Sequence, residues 1–112
     1  MISIYKENDK SFTFARRRVN GEIIKTVPQG LYFTVKDEMG SVKISKSLNN
    51  GIEQNDDGTW VIMIDSSDTS DIAVGIYRCD VKVKDEIGRE FTIVTPQDFK
   101  VLDVVTGKEN MR

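Results

Sequence analysis

The sequence predicts an all-β fold, a single-domain antiparallel β-sandwich, and three observations predict it. Apolar residues alternate with polar ones at a period of two in segment after segment. Turn-forming residues recur about every ten positions, the spacing of strands in a sandwich or barrel. No long stretch sustains the three-and-four spacing of an amphipathic helix. A chain of 112 residues can bury roughly two-thirds of the surface its unfolded form exposes, which suffices for one core.

Each element follows from that pattern. Ile2 with Ile4 and Phe12 with Phe14 begin it. Leu31, Phe33 and Val35 share one face while Tyr32, Thr34 and Lys36 share the other, and Val42 and Ile44 oppose Lys43 and Ser45 in the same way. The strongest strand runs from Ile76 to Lys84, with Tyr77, Cys79, Val81 and Val83 facing inward and Arg78, Asp80, Lys82 and Lys84 outward. Phe91 with Ile93 and Phe99 with Val101 complete the set. Turns are expected at Asn8-Asp9, Asn20-Gly21, Asp37 to Gly40, Asn49 to Gly51, Asp56 to Gly58, Asp85 to Gly88 and Pro96. The domain is expected over 1–106, with a flexible tail at 107–112.

Composition narrows the function classes. The formal charge is −2 with both signs interspersed, so there is no field to collect nucleic-acid phosphates. Arg16, Arg17 and Arg18 read as a solvated loop beside the Asn20-Gly21 turn. Met1 to Lys6 lacks the pattern of a signal peptide, and no run approaches the ~20 apolar residues of a membrane-spanning helix. There is no His, which removes the usual general base and the commonest zinc ligand. Cys79 is the single cysteine, so it reads as a small buried apolar residue rather than a disulfide or an activated thiol.

One segment sharpens the fold. In Asp71-Ile72-Ala73-Val74-Gly75-Ile76-Tyr77-Arg78-Cys79, a Tyr stands two residues before a Cys at the start of a strong strand. This resembles a tyrosine corner and makes the sandwich immunoglobulin-like, with Tyr77 structural. The lone Cys79, and Trp60 on the strand just before the corner, exclude the disulfide-pinned antibody subtype.

The order of pieces also resembles a domain of tailed-bacteriophage baseplate and tail proteins, the N-terminal domain of baseplate upper proteins. The matching residues are Asp9 to Phe14, Leu31 to Lys36, Asp68-Thr69, Gly75 to Val81, Gly88 and Thr92, Asp98 to Val101, and Asp103 to Thr106. The resemblance implies a virion structural role: a non-enzymatic docking or spacer module, assembled in the bacterial cytoplasm, binding other phage structural proteins or further copies of itself.

Other readings are weaker. Asp65, Asp68 and Asp71 fit turn hydrogen bonds better than a catalytic carboxylate pair. Glu53, Asn55, Asp57 and Gly58 match the start of a calcium loop, but Ile64 occupies the place of its bidentate Glu, which leaves a hairpin turn. Gly107-Lys108 lacks the rest of a phosphate loop. Neither a cofactor nor a metal is expected. The alternative is a carbohydrate-binding or host-adhesion module using an exposed Tyr5, Tyr32 or Trp60, although Trp60 is expected in the core. Trp60, Ile62 and Ile64 make one face of a strand; Val61 and Met63 make the other face apolar too. That marks either a central strand or a contact surface, and on the second reading Val61 and Met63 are the candidate interface.

Overall fold

The computed structural model describes residues 2–103, so the expected tail and the last three positions of the expected domain lie outside the described residues. Eight strands and one helical turn follow in order: β1 (Ile2–Tyr5), β2 (Lys10–Phe14), β3 (Gly30–Lys36), β4 (Val42–Leu48), β5 (Gly51–Gln54), β6 (Trp60–Ile64), α1 (Ser66–Thr69), β7 (Gly75–Lys84) and β8 (Glu90–Leu102). They hydrogen-bond in the order β1-β8-β7-β3-β4-β5-β6-β2.

That ladder folds over on itself. β4 and β5 are joined by only two register pairs, Ser47 with Gly51 and Leu48 with Ile52, and at this narrow join the sheet divides into two layers. One layer holds β1, β8, β7, β3 and β4; the other holds β5, β6 and β2. The sequences β3-β7-β8 and β2-β6-β5 reproduce the C-F-G and B-E-D sets of an immunoglobulin-like sandwich. Among the described residues β1 with β8 and β4 with β5 pair in parallel, and the other pairings are antiparallel.

The inner faces meet as alternation requires. Phe33 from β3, Trp60 from β6 and Phe99 from β8 are among the largest fully buried side chains. Phe99 contacts Phe12 of the opposite layer edge-on, with ring centres 6.4 Å apart, and Phe33 at 6.2 Å. Trp60 retains 1 % of its exposure, as expected, although its indole N–H has no hydrogen-bond partner among the described residues. Tyr77 donates its hydroxyl to the carbonyl of Ala73 four residues upstream, which closes the tyrosine corner. Cys79 is buried, and that burial pushes its thiol up to about 11.

Four local readings are corrected. Pro96 is no turn: β8 runs through it, because Thr95 and Pro96 together oppose the single residue Asp80 in a bulge, where a missing N–H costs no ladder bond. Val42 is exposed, because a bulge at Lys43 pairs Val42 with Lys36 and breaks its phase with Ile44. Phe91 is 47 % exposed, in a groove lined also by Arg17, Ile24 and Val83. Asp65 and Asp68 do make a local hydrogen bond, Asp68 Oδ2 accepting the Asp65 N–H at 2.7 Å, but in the cap of a helical turn, α1, rather than in an open turn, and Asp68 also pairs with Lys46 at 2.8 Å. The expected hairpin at Asp56 to Gly58 is present: Gly58 takes φ 89°, and Asp57 accepts the Thr59 N–H.

Candidate protein-docking surface

The strand order places β1 at one end and β2 at the other, so each has one edge that no strand pairs among the described residues. β1 covers β8 only from Phe99 to Leu102, leaving the outer edge of 90–97 without a strand neighbour among the described residues as well. Among the described residues, the side of the sandwich between β2 and β8 is therefore flanked by strand edges without a strand partner on both layers.

Apolar side chains line this side. An interlayer cleft of about 280 Å³ is bounded by Phe12 and Phe14 of β2, Ile2 of β1, Phe33, Val81 and Val94. A second groove, of about 520 Å³, takes up the lining at Ala15 and Ile93, one residue on from Phe14 and one before Val94, and adds Arg17, Ile24, Val83 and Phe91. Their linings share no residue but adjoin along the chain at 14–15 and 93–94, and the two together are called the seam, with Ile2 in one part and Phe91 in the other.

The upper wall of the seam is the 15–29 connection, long for a compact domain and held in shape by specific bonds. Arg17 bridges Ile23, Arg18 N–H donates to the Glu22 carbonyl, and Ile24 N–H donates to the Arg16 carbonyl, forming a small hairpin. Val19 at its tip is fully exposed. Arg16 is 8 % exposed, which overturns the expectation that all three arginines are solvated. Its guanidinium donates to Glu86 Oε1 at 2.7 Å and to the Thr26 carbonyl at 3.1 Å. Thr26 Oγ1 donates to Glu86 Oε2, and Gln29 donates to the Glu86 carbonyl. The bond from Arg16, aided by that from Thr26, holds the Glu86 carboxyl below its ordinary value. The turn before β8 is thereby stapled to the long connection. On its far side Gln54 donates to the Lys25 carbonyl at 2.9 Å, and Lys25 packs against Gly58.

The remaining sequence candidates fall elsewhere. Val61 and Met63 are half-buried on the outer face of the β5-β6-β2 layer, between Thr13 and Ser11 of β2 and Glu53 of β5. β6 is the central strand of that layer, which accounts for its two apolar faces. Trp60, Tyr77 and Cys79 belong to the core. Tyr5 and Tyr32 are exposed, on rows of the outer face paired with Leu102 and with Lys82. The seam itself went unread in the sequence, because it arises from which strands end the ladder.

No protein-family model matches the chain, and no curated protein matches it. Among solved structures the chain is similar to CopC from Methylosinus trichosporium OB3b, at 17 % identity over 71 % of this chain and 69 % of that one, with a TM-score of 0.44. Likeness at that level carries no argument about function.

Proposed function

We propose that this protein is a non-enzymatic docking module that binds other protein chains along a sheet edge, of the kind that joins components of a tailed-phage baseplate or tail. The observation that carries this reading is the seam: two unpaired strand edges with apolar side chains between them, the arrangement that strand addition uses. The resemblance of Asp9 to Phe14, Leu31 to Lys36 and Gly75 to Val81 to baseplate domains supports the virion setting. The outer face of β6, with Val61 and Met63, is a second candidate contact within the same reading.

Peptide mass spectrometry of purified tailed-phage particles, with light scattering on the isolated chain, tests this. The expected result is a fixed copy number per particle. Absence from both particles and tail assembly intermediates would refute the virion setting. On the alternative, an adhesion module, Tyr5 or Tyr32 would stack on sugars, and a glycan array would show binding that Tyr32→Ala abolishes.

A further inference from the structure

We infer that the seam takes an extended peptide segment of a partner protein, with a large apolar side chain seated on Phe91 and Ile93 and a neighbouring carboxylate paired with Arg17. This rests on the docking reading and adds the partner's chemistry. The two carboxylates lining the upper groove are already engaged. Glu86 accepts from Arg16 on one oxygen and Thr26 on the other. Asp85 accepts from the Ile87 and Arg89 N–H groups on Oδ1 and from the Arg89 side chain on Oδ2. Arg17, by contrast, is exposed and donates one N–H, to the Gly21 carbonyl at 2.9 Å, leaving most of its five donors unspent. The guanidinium donors left unspent at the groove wall are those of Arg17, and they fit a carboxylate.

The floor beneath Arg17 is apolar. Ile24, Val83, Phe91 and Ile93 line it, and the Arg89 guanidinium lies 5.6 Å from the Phe91 ring centre. An extended segment presents side chains on alternate sides. It can bond its backbone to an unpaired edge while sending every second side chain into the seam. The staple from Arg16 to Glu86 fixes the wall before any partner arrives, so little ordering is left to oppose binding.

The test uses the full ¹⁵N-labelled chain and two synthetic octapeptides, one alternating Glu with Leu and one alternating Lys with Leu. The Glu peptide is expected to shift amide signals at 15–24 and 91–94, and the Lys peptide to bind at least about tenfold more weakly, the loss of one charge-assisted contact. Arg17→Glu, at an exposed position, is expected to reverse that preference while leaving the free spectrum otherwise unchanged. Equal binding of both peptides, shifts confined to another face, or no shift at all would overturn the assignment. Particles that contain the chain while the Glu peptide moves nothing at 15–24 and 91–94 would sink this inference and leave docking standing. Particles that lack it would remove the docking reading itself.

Discussion

Replacing Tyr77 by Phe removes one hydroxyl and leaves the ring, so it isolates the hydrogen bond that closes the corner between the layers. The bond runs from the Tyr77 hydroxyl to the Ala73 carbonyl, and Ala73 is exposed. Water can take over the carbonyl, so the loss is the net value of one hydrogen bond, about 1 kcal/mol, without the larger penalty of an orphaned buried acceptor. Tyr77→Ala also deletes a ring that is 8 % exposed and part of the core, which raises the cost to about 3–5 kcal/mol. For a domain of this size 1 kcal/mol corresponds to about 4 °C in Tm. Urea titration followed by the fluorescence of Trp60, the single and buried tryptophan, reads both variants. The expected result is a small drop in midpoint for Phe, a several-fold larger one for Ala, and an unchanged slope for Phe. If Phe matched the parent, the corner would not be pinned by this bond; if it destabilised as much as Ala, the ring would add nothing to the core beyond the bond.

Three further outcomes follow from named groups. Trp60→Phe is expected to cost clearly less than the about 3–5 kcal/mol of a large-to-small core truncation, because it keeps a ring in the core and removes an indole N–H that has no partner among the described residues; a urea midpoint, read by circular dichroism, that falls by the full truncation cost would contradict this. The Glu86 carboxyl sits below its ordinary value of 4.5 in the folded chain, so its contribution is present above that value and lost as pH falls through the folded one. Glu86→Gln should therefore flatten the acid limb of a stability-against-pH curve, and an unaltered limb would show that the staple contributes nothing there. The Cys79 thiol, buried and pushed up to about 11, is expected to resist iodoacetamide at pH 8 until urea unfolds the chain; rapid labelling of the native protein would contradict its place in the core.

Where one residue's environment is set by its neighbours along a strand, the sequence was a good guide. Tyr77, Cys79, Val81 and Val83 fall inward as their alternation requires, and Trp60 is buried between flanking strands. Local pattern failed where register changed. The bulge at Lys43 exposed Val42, and the one opposite Asp80 carried β8 through Pro96, because an inserted residue shifts the phase without altering composition. The four residues of α1 are too few to show a helical period, although Asp65 and Asp68 at cap spacing were a usable signal. Arg16 could not be told from Arg17 and Arg18, since its partner Glu86 lies 70 positions away. The seam is of the same kind: Phe12, Phe14, Val94 and Phe91 read as ordinary strand residues until the ladder order leaves β2 and the first part of β8 without outer neighbours.

Amide hydrogen exchange, measured on the isolated chain and again on purified particles, probes the unpaired edges most directly. In isolation the β2 amides that do not bond to β6, and the 90–97 amides that do not bond to β7, should exchange within the fast population, then slow markedly in the particle. Protection of those amides in the isolated chain, or slowing confined to the strand carrying Val61 and Met63, would contradict the seam as the docking surface.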